Sequence, residues 1–464
     1  MAIRFTLNDA PVEVADFDPN TTLLAFLRGR GMTGTKEGCA EGECGACAVA
    51  LVERDARGNT RYQPVNACLL LLGSCAGREI VSIEGIAQGG ELHPVQRAMI
   101  DRAGSQCGYC TPGFVVSLFA EYYRPGRTEV DPEAIAGNLC RCTGYRPIRE
   151  VAEGLGQPGD DDPFRRRLAL APPTLEPVQH RSGTGRFLRP GTLRDALTLL
   201  AEEPGAVIVA GGTDVVVEVN QRHRRHRSLL SLENVAELAV FEQSADRIRI
   251  GAALSLTQIE QHLAGTVPLL DQLFPLFSSR LIRNRATLGG NLMTASPIGD
   301  SPPALLALDA EVELASLSGT RTLPLSDFFT GYRQTARKPD EILAAITIPL
   351  PLPNVQRFYK VSKRVLDDIS TVAAGYSLRV DGAGKISAAR LAYGGVAPTP
   401  ARARDAEAFM VGQVWSHELV KHTLPLLARA FSPIGDHRGS ADYRSTLIVR
   451  LLEKLWADTS GGAA

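Results

Sequence analysis

Nine residues constrain this chain more than any others: Cys39-Ala-Glu-Gly-Glu-Cys44-Gly-Ala-Cys47. Three cysteines at C-x4-C-x2-C, with one further cysteine downstream, have the spacing that closes on a [2Fe–2S] cluster. Cys68, in Asn66-Ala67-Cys68, is the nearest candidate for the fourth thiol. Four thiolates must converge on two irons, so the loop backbone has to bend sharply and pass close to the cluster. Gly38, Gly42 and Gly45 permit that conformation and approach. Their N–H groups can then reach sulfur and tune the potential.

A second set follows in Cys107-Gly-Tyr-Cys110 and Cys140-Arg-Cys142. Thr111-Pro112 reads as the N-cap and first residue of a helix that continues through the apolar run Phe114 to Phe119. Cys107 and Cys110 would then lie at a positive helix end, which favours thiolate. Asp131-Pro132-Glu133 predicts another helix running into Cys140, and Pro147 opens a third. On spacing alone this second set suits structural zinc as well as iron. Its place beside the first set favours iron, because two redox centres in one short module make a wire. Cys75 is left over and reads as a small buried apolar residue.

A chain of 464 residues predicts two to four domains. A hydrophobic fraction of 44% and a charged fraction of 22% are those of an ordinary globular protein. A net charge of −1 argues against a nucleic-acid footprint and offers no attraction to a membrane surface. No apolar stretch reaches spanning length, and the N-terminus alternates like a strand rather than forming a secretory segment. The placement of eight of nine cysteines in motifs points to a reducing cytoplasm rather than to disulfides. The eight histidines are scattered and form no catalytic triad or metal cluster.

In order, residues 1–87 read as short strands with a helix over Thr22–Leu27, which suits a ferredoxin-like β-grasp domain. Residues 88–155 read as a helical domain, beginning with a helix from His93-Pro94 to Ala103. Residues 156–182, rich in proline and carrying Asp160-Asp161-Asp162, read as an extended linker. Residues 183–340 read as α/β. Thr192 caps a helix with Leu193, Ala196, Leu197 and Leu200 on one face. An apolar strand then enters Gly211-Gly212-Thr213-Asp214, a glycine turn whose amides could also surround a phosphate. A second such stretch runs through Thr287, Gly289, Gly290, Asn291 and Thr294 to Asp300, and two such loops could grip a pyrophosphate. No G-x-G-x-x-G is present, which argues against a Rossmann fold. The basic run Gln221-Arg-His-Arg-Arg-His-Arg227 reads as a solvated loop. Residues 341–464 read as a smaller α/β domain, with strands over Ala345–Ile348, Ser370–Val380 and Ala388–Tyr393. Ser416 and Asp442 are predicted to cap helices reaching Phe431 and Trp456, and the tail from Thr459 is expected to be disordered. The predicted class is thus multidomain α+β.

The order CAEGECGACAV, NAC, GSQCGYCTPGF and GNLCRCTGYRPI closely resembles the iron–sulfur module of the xanthine dehydrogenase family of molybdenum hydroxylases. The pair VAGGTDV and ATLGGN…TASPIGD resembles that family's FAD-binding domain. The resemblance implies two [2Fe–2S] clusters, one on Cys39, Cys44, Cys47 and Cys68 and the other on Cys107, Cys110, Cys140 and Cys142. It implies FAD contacts from Ile208, Val209, Ala210, Gly211, Gly212, Thr213, Asp214 and Val215. Further contacts carry over to Phe277, Ser278, Thr287, Gly290, Asn291, Thr294, Asp300, Leu343 and Lys360. Gly212 stands where some relatives carry asparagine, so one side-chain contact to flavin is not supplied there. Tyr332, Asp367 and Asp368 match positions near a nicotinamide substrate.

The molybdenum–pterin region expected of the family has no counterpart in this sequence. The resemblance therefore implies the smaller, iron–sulfur/FAD subunit, paired with a larger molybdenum subunit as αβ and dimerised to α2β2. That partner would oxidise hypoxanthine or xanthine. Electrons would pass to the helical-domain cluster, the ferredoxin-like cluster, FAD and finally NAD+, with no catalytic side chain on this chain itself. A related hydroxylase acting on an aldehyde or N-heterocycle, a stand-alone electron-transfer flavoprotein and a structural zinc protein are the alternatives.

Overall fold

The computed structural model describes residues 2–460. The chain divides into two compact units. The first takes the residues up to Ala236 together with Ser255–His262 and Ser279–Ala286. The second takes Glu237–Leu254, Leu263–Ser278 and the chain from Thr287 onward. Residues 461–464 of the tail, expected to be disordered, lie outside the described residues. The architecture is multidomain α+β.

The first unit opens with a mixed five-stranded sheet in the order Ala10–Val14, Ile3–Leu7, Glu79–Val81, Ala48–Arg54, Thr60–Asn66. Strands Ile3–Leu7 and Glu79–Val81 run parallel, and the other neighbours are antiparallel. The strand at Ala48 reads Ala-Val-Ala-Leu-Val because both its faces are buried. Val49 and Leu51 pack with Leu23 and Leu27 of the helix Leu23–Gly29. Ala48, Ala50 and Val52 pack with Phe114 and Phe119 of the helix Thr111–Tyr122. Thr22 caps the first of these helices, its hydroxyl accepting from the Ala25 amide at 3.2 Å.

Helix Thr111–Tyr122 is buried from Gly113 to Tyr122, so it has no polar face to show and is a core helix. Each buried phenylalanine in it contributes about 1.5–3 kcal/mol. Its start differs from expectation. Cys110, not Thr111, is the N-cap, and no side chain caps the helix; Pro112 sits in the first turn, where its missing N–H costs nothing. The helix predicted from Asp131 is only a 3-10 turn, Pro132–Ile135. Asp131 does cap it, accepting from the Glu133 amide at 2.9 Å, but the chain leaves at Gly137, which packs against Ser279 and Leu281. Helices Pro94–Asp101 and Arg146–Glu153 complete the module.

The proline-rich segment is not extended throughout. Asp162 accepts from the amides of Phe164 and Arg165 at 2.9 and 3.0 Å and starts a helix over Pro163–Leu168. An Asp-Pro pair is a helix start, and burial of Phe164 holds it in place. Beyond it a four-stranded sheet runs Val178–Arg181, Arg186–Arg189, Ser228–Ser231, Val207–Val209. Thr192 caps Leu193–Glu202 as expected. Strand Val207–Val209 enters the first glycine loop, and helix Val215–Gln221 leaves it. The basic run closes that helix: Arg222 and Arg224 reach Glu218 at 3.4 and 2.8 Å, and Arg225 donates to the Val219 carbonyl.

The second unit holds an antiparallel sheet in the order Phe241–Gln243, Arg247–Gly251, Ile342–Pro349, Glu311–Ser316, Gly319–Pro324. It also holds the antiparallel sheet Val355–Val361, Val372–Val380, Ile386–Gly394, Ala401–Arg402. Helices Arg404–Met410, His417–Ala428 and Ala441–Thr459 share a core with this second sheet. Ser416 caps His417–Ala428, which stops short of Phe431. Ser440, not Asp442, caps the last helix, because its hydroxyl accepts from the Tyr443 amide at 3.1 Å. Among the described residues no helix is long and apolar enough to cross a membrane.

Candidate metal centres and flavin loops

All nine cysteines carry free thiols. The first set lies on the loop before strand Ala48–Arg54, with Cys68 just after strand Thr60–Asn66. Gly42 and Gly45 turn this loop at φ +88° and +65°. A Cβ at Gly45 would stand 2.3 Å from the Gly137 carbonyl oxygen, so a side chain is excluded there on two grounds. The Cys44 amide donates to Cys39 Sγ at 3.3 Å, and the Cys39 amide to Cys44 Sγ at 3.4 Å. The thiol of Cys44 and the amides of Glu41 and Glu43 together pull the Cys39 pKa down to about 5. Cys44, sharing that contact, is pushed up. Cys68 meets Cys47 in the same way and is raised by that bond and by burial.

The second set also meets in twos, Cys107 with Cys142 and Cys110 with Cys140. Cys107 and Cys142 are exposed, Cys110 half-buried and Cys140 buried. The two thiols expected to share a thiolate-favouring helix end differ, and neighbouring groups decide each. The Tyr109 amide and the Cys142 thiol lower Cys107. Burial and the bond to Cys140 push Cys110 up to about 12. Among the described residues no three His, Cys, Asp or Glu groups close on a single ion. Four thiols grouped as two pairs suit two irons, each taking one pair, so both donor sets fit a [2Fe–2S] cluster. Cys75 is fully buried, donates to the Leu71 carbonyl and is raised by burial to about 12, which leaves it an inert core thiol.

The two cysteine sets interlock through the backbone. The Leu139 amide, next to Cys140, donates to the Cys44 carbonyl at 2.9 Å. Asn138 donates to the Gly45 carbonyl at 3.1 Å. Asn66 Nδ2 donates to the Gly42 carbonyl at 2.8 Å, and the Cys47 thiol reaches Asn66 Oδ1. Neither asparagine was singled out in the sequence, although Asn66 stands two residues from Cys68 and Asn138 two from Cys140.

The first glycine loop, Ile208 to Val215, is mostly half-buried, with Val209 in the core and Asp214 exposed. It belongs to the first unit and abuts the first cysteine set. A Cβ at Gly212 would lie 3.1 Å from the Leu69 carbonyl oxygen. A Cβ at Gly211 would lie 1.8 Å from the carbonyl oxygen of Arg285, so the loop must move if one is added. Gly211→Ala is therefore expected to lower bound FAD severalfold while iron stays unchanged, checked by flavin absorbance and iron analysis of one preparation.

The remaining predicted flavin residues belong to the second unit. Thr287 caps the short helix Leu288–Met293, accepting from the Gly290 amide at 3.0 Å. Thr294 donates to the Gly290 carbonyl, and Ser301 donates to the Asn291 side chain. A Cβ at Gly290 would meet only the Thr287 hydroxyl, which leaves this turn open to a ligand. Lys360, Asp300 and the turn Leu276–Ser278 come together: Lys360 Nζ lies 2.8 Å from both the Asp300 carboxylate and the Leu276 carbonyl. Ser278, at φ +48°, donates to Asp367 at 2.8 Å. Phe277 lies in the same turn and is half-buried. Asp368 accepts from the amides of Arg364 and Ile369, and Tyr332 is 62% exposed. Leu343 is buried in the sheet opposite Leu314. The two glycine loops thus fall in different units: Gly211 and Gly212 of the first pack against the chain's own carbonyls, and the second offers an open capped turn.

Residues 5–72 match the 2Fe-2S iron-sulfur cluster binding domain and residues 82–153 the [2Fe-2S] binding domain. Residues 181–351 match the FAD binding domain in molybdopterin dehydrogenase. Residues 357–459 match the CO dehydrogenase flavoprotein C-terminal domain. The chain is an iron–sulfur/FAD flavoprotein of the molybdenum-hydroxylase family. It is 31% identical to a xanthine dehydrogenase of Emericella nidulans and 34% identical to one of Drosophila pseudoobscura, each over 98% of its length. It spans only 38% and 39% of those relatives. Among solved structures, carbon monoxide dehydrogenase of Hydrogenophaga pseudoflava is 25% identical over 60% of this flavoprotein and 99% of that chain, with a TM-score of 0.56. Quinoline 2-oxidoreductase of Pseudomonas putida 86 is 28% identical over 61% of this chain and 99% of that one, also at 0.56.

Proposed function

We propose that this flavoprotein is the electron-transfer subunit of a xanthine dehydrogenase. It takes electrons released by hypoxanthine or xanthine hydroxylation on a larger molybdenum–pterin partner and delivers them to NAD+. A reducing cytoplasm suits its free thiols. When bound, two [2Fe–2S] clusters carry single electrons, and FAD exchanges one or two.

The chain's own part is placement. Cys107, Cys110, Cys140 and Cys142 would hold one cluster, and Cys39, Cys44, Cys47 and Cys68 the other. The observation that carries the reading is their continuity. Leu139 donates to the Cys44 carbonyl, and the Leu69 carbonyl, one residue from Cys68, packs on Gly212 of the flavin loop. The backbone thus connects the second cysteine set to the first, and the first to the glycine loop. Gly290, Thr287 and the turn at Ser278 are groups that the resemblance offers to the flavin. Tyr332 and Asp368, the first exposed and the second half-exposed, are those offered to a nicotinamide.

The test is metal and flavin content of the complex purified natively from its source. Equal iron in both cysteine sets, one FAD per chain and molybdenum on a co-purifying larger protein support the subunit reading, and xanthine-dependent NAD+ reduction supports the substrate. Iron and FAD without molybdenum or a partner would make it a free-standing flavoprotein; zinc in place of iron would sink the reading. The likeness to a quinoline oxidoreductase favours an N-heterocycle hydroxylase as second reading. It is preferred if quinoline-type substrates are turned over and xanthine is not.

A further inference from the structure

The helix Val215–Gln221 begins at the first glycine loop and ends against the first cysteine set. At its last turn two side-chain amides reach back to that set. Asn220 Nδ2 donates to the carbonyl of Ala40 at 2.8 Å and to the carbonyl of Cys68, also at 2.8 Å. Gln221 Nε2 donates to the carbonyl of Cys39 at 2.7 Å. The three acceptors are not an arbitrary stretch of loop. Cys39 and Cys68 are the outermost thiols of the set in sequence, and Ala40 is a non-glycine residue at φ +57°, a conformation its Cβ disfavours. The single Asn220 amide therefore ties the strained start of the loop to the one thiol that comes from a different segment, just after strand Thr60–Asn66. Both donors sit one short helix away from Gly212.

We infer that Asn220 and Gln221 form a clamp that positions the Cys39/Cys44/Cys47/Cys68 centre and couples its position to the flavin loop. They are positioning residues: neither touches a thiol, and both act through the carbonyls beside the thiols. The inference rests on the reading that this set holds a [2Fe–2S] cluster and that the Ile208–Val215 loop meets FAD. Its chemistry is that of groups which orient a ligand from outside. Removing such a group characteristically costs 10–100-fold in affinity or activity without removing the ligand.

Two variants of the full chain in its native complex separate this role from a structural one. Asn220→Asp keeps the size but replaces the NH2 by an acceptor, so neither carbonyl can be bound. Gln221→Ala removes an exposed donor and leaves the fold's interior untouched. The readouts are iron content, FAD content, the EPR spectrum of each reduced cluster, and the rate at which a one-electron donor reduces the flavin. In both variants the expected result is full FAD, an altered EPR spectrum for one cluster only, the second cluster serving as internal control, and slower flavin reduction. For Asn220→Asp the slowing is roughly tenfold or more; for Gln221→Ala it is smaller. Unchanged spectra and unchanged flavin reduction in both would overturn the clamp, as would loss of FAD with both cluster spectra intact. If Asn220→Asp does not fold, Gln221→Ala decides alone by the same criteria. Wild-type protein without iron would sink the cluster reading itself, a failure that no variant could imitate.

Discussion

On the proposed xanthine dehydrogenase reading, Cys44→Ala in the native complex is expected to lose half of the iron, keep its FAD, and lower substrate-to-NAD+ turnover by more than about 100-fold. That exceeds the effect of groups that merely support a ligand. Only the thiol is deleted. Cys44 Sγ lies within a shared contact with Cys39, so its loss leaves one of the two thiol pairs single. The backbone at position 44 does separate work: its amide donates to Cys39 Sγ and its carbonyl accepts from Leu139. Alanine preserves both main-chain groups. The second cysteine set therefore keeps its seat on the loop, and the flavin loop, which touches Leu69 and not Cys44, is undisturbed. Iron analysis, flavin absorbance and steady-state turnover on one preparation check all three parts. Wild-type turnover at half the iron would mean that electrons do not need this centre, and the wire reading would fall.

The features legible in the sequence were those whose physics is local. Cysteine spacing, the Thr192 cap and the helix beginning at Thr22 each involve residues within a few positions of one another. So do the glycines at 42 and 45, whose φ values a turn demands. Where local signals competed, the sequence misled. Proline density around residues 156–182 suggested an extended strap, yet Asp162-Pro163 is also a helix start and Phe164 has a core to enter. Thr111 looked like a cap, but Cys110 occupies that position and its side chain meets Cys140 instead of capping the helix. What stayed hidden are bonds between distant segments. Asn220 and Gln221 lie 152 to 182 residues from the carbonyls they bind. The assignment of Ser279–Ala286 to the first unit, ahead of a glycine loop in the second, follows from such contacts: Arg280 pairs with Asp131 and Glu133, and Asn284 with Pro64. Lys360 matched a flavin position, and its pairing with Asp300 appears only once strand and helix are in place.

Glu233→Gln is expected to be the most destabilising single substitution outside the thiols, at about 3–5 kcal/mol, the range for breaking a buried ion pair by removing one partner. Its carboxylate is buried with three guanidiniums. Arg78 lies at 2.8 Å, Arg285 at 2.7 Å and Arg189 at 3.7 Å. Burial alone would raise its pKa; the charges of Arg78, Arg285 and Arg189 more than reverse this and hold it well below the usual 4.5. A depressed carboxylate stabilises the fold above its unfolded pKa. This contribution is thus complete above about pH 4.5 and is lost as pH falls from there through the folded value. The variant should accordingly show a shallower acid dependence than wild type, because the titrating group is gone. Arg78 also pairs with Glu53, so it keeps one partner, whereas Arg189 and Arg285 lose the one carboxylate placed against them. Arg285 is the consequential case, since its carbonyl is the surface against which Gly211 packs. Destabilisation should therefore be accompanied by weaker FAD retention, measured as flavin released during denaturant unfolding, with the release midpoint falling at least as far as the unfolding midpoint. Full stability at neutral pH in this variant would mean that the arginines pack as well without their counter-charge. The tie between the buried ion cluster and the flavin loop would then be wrong.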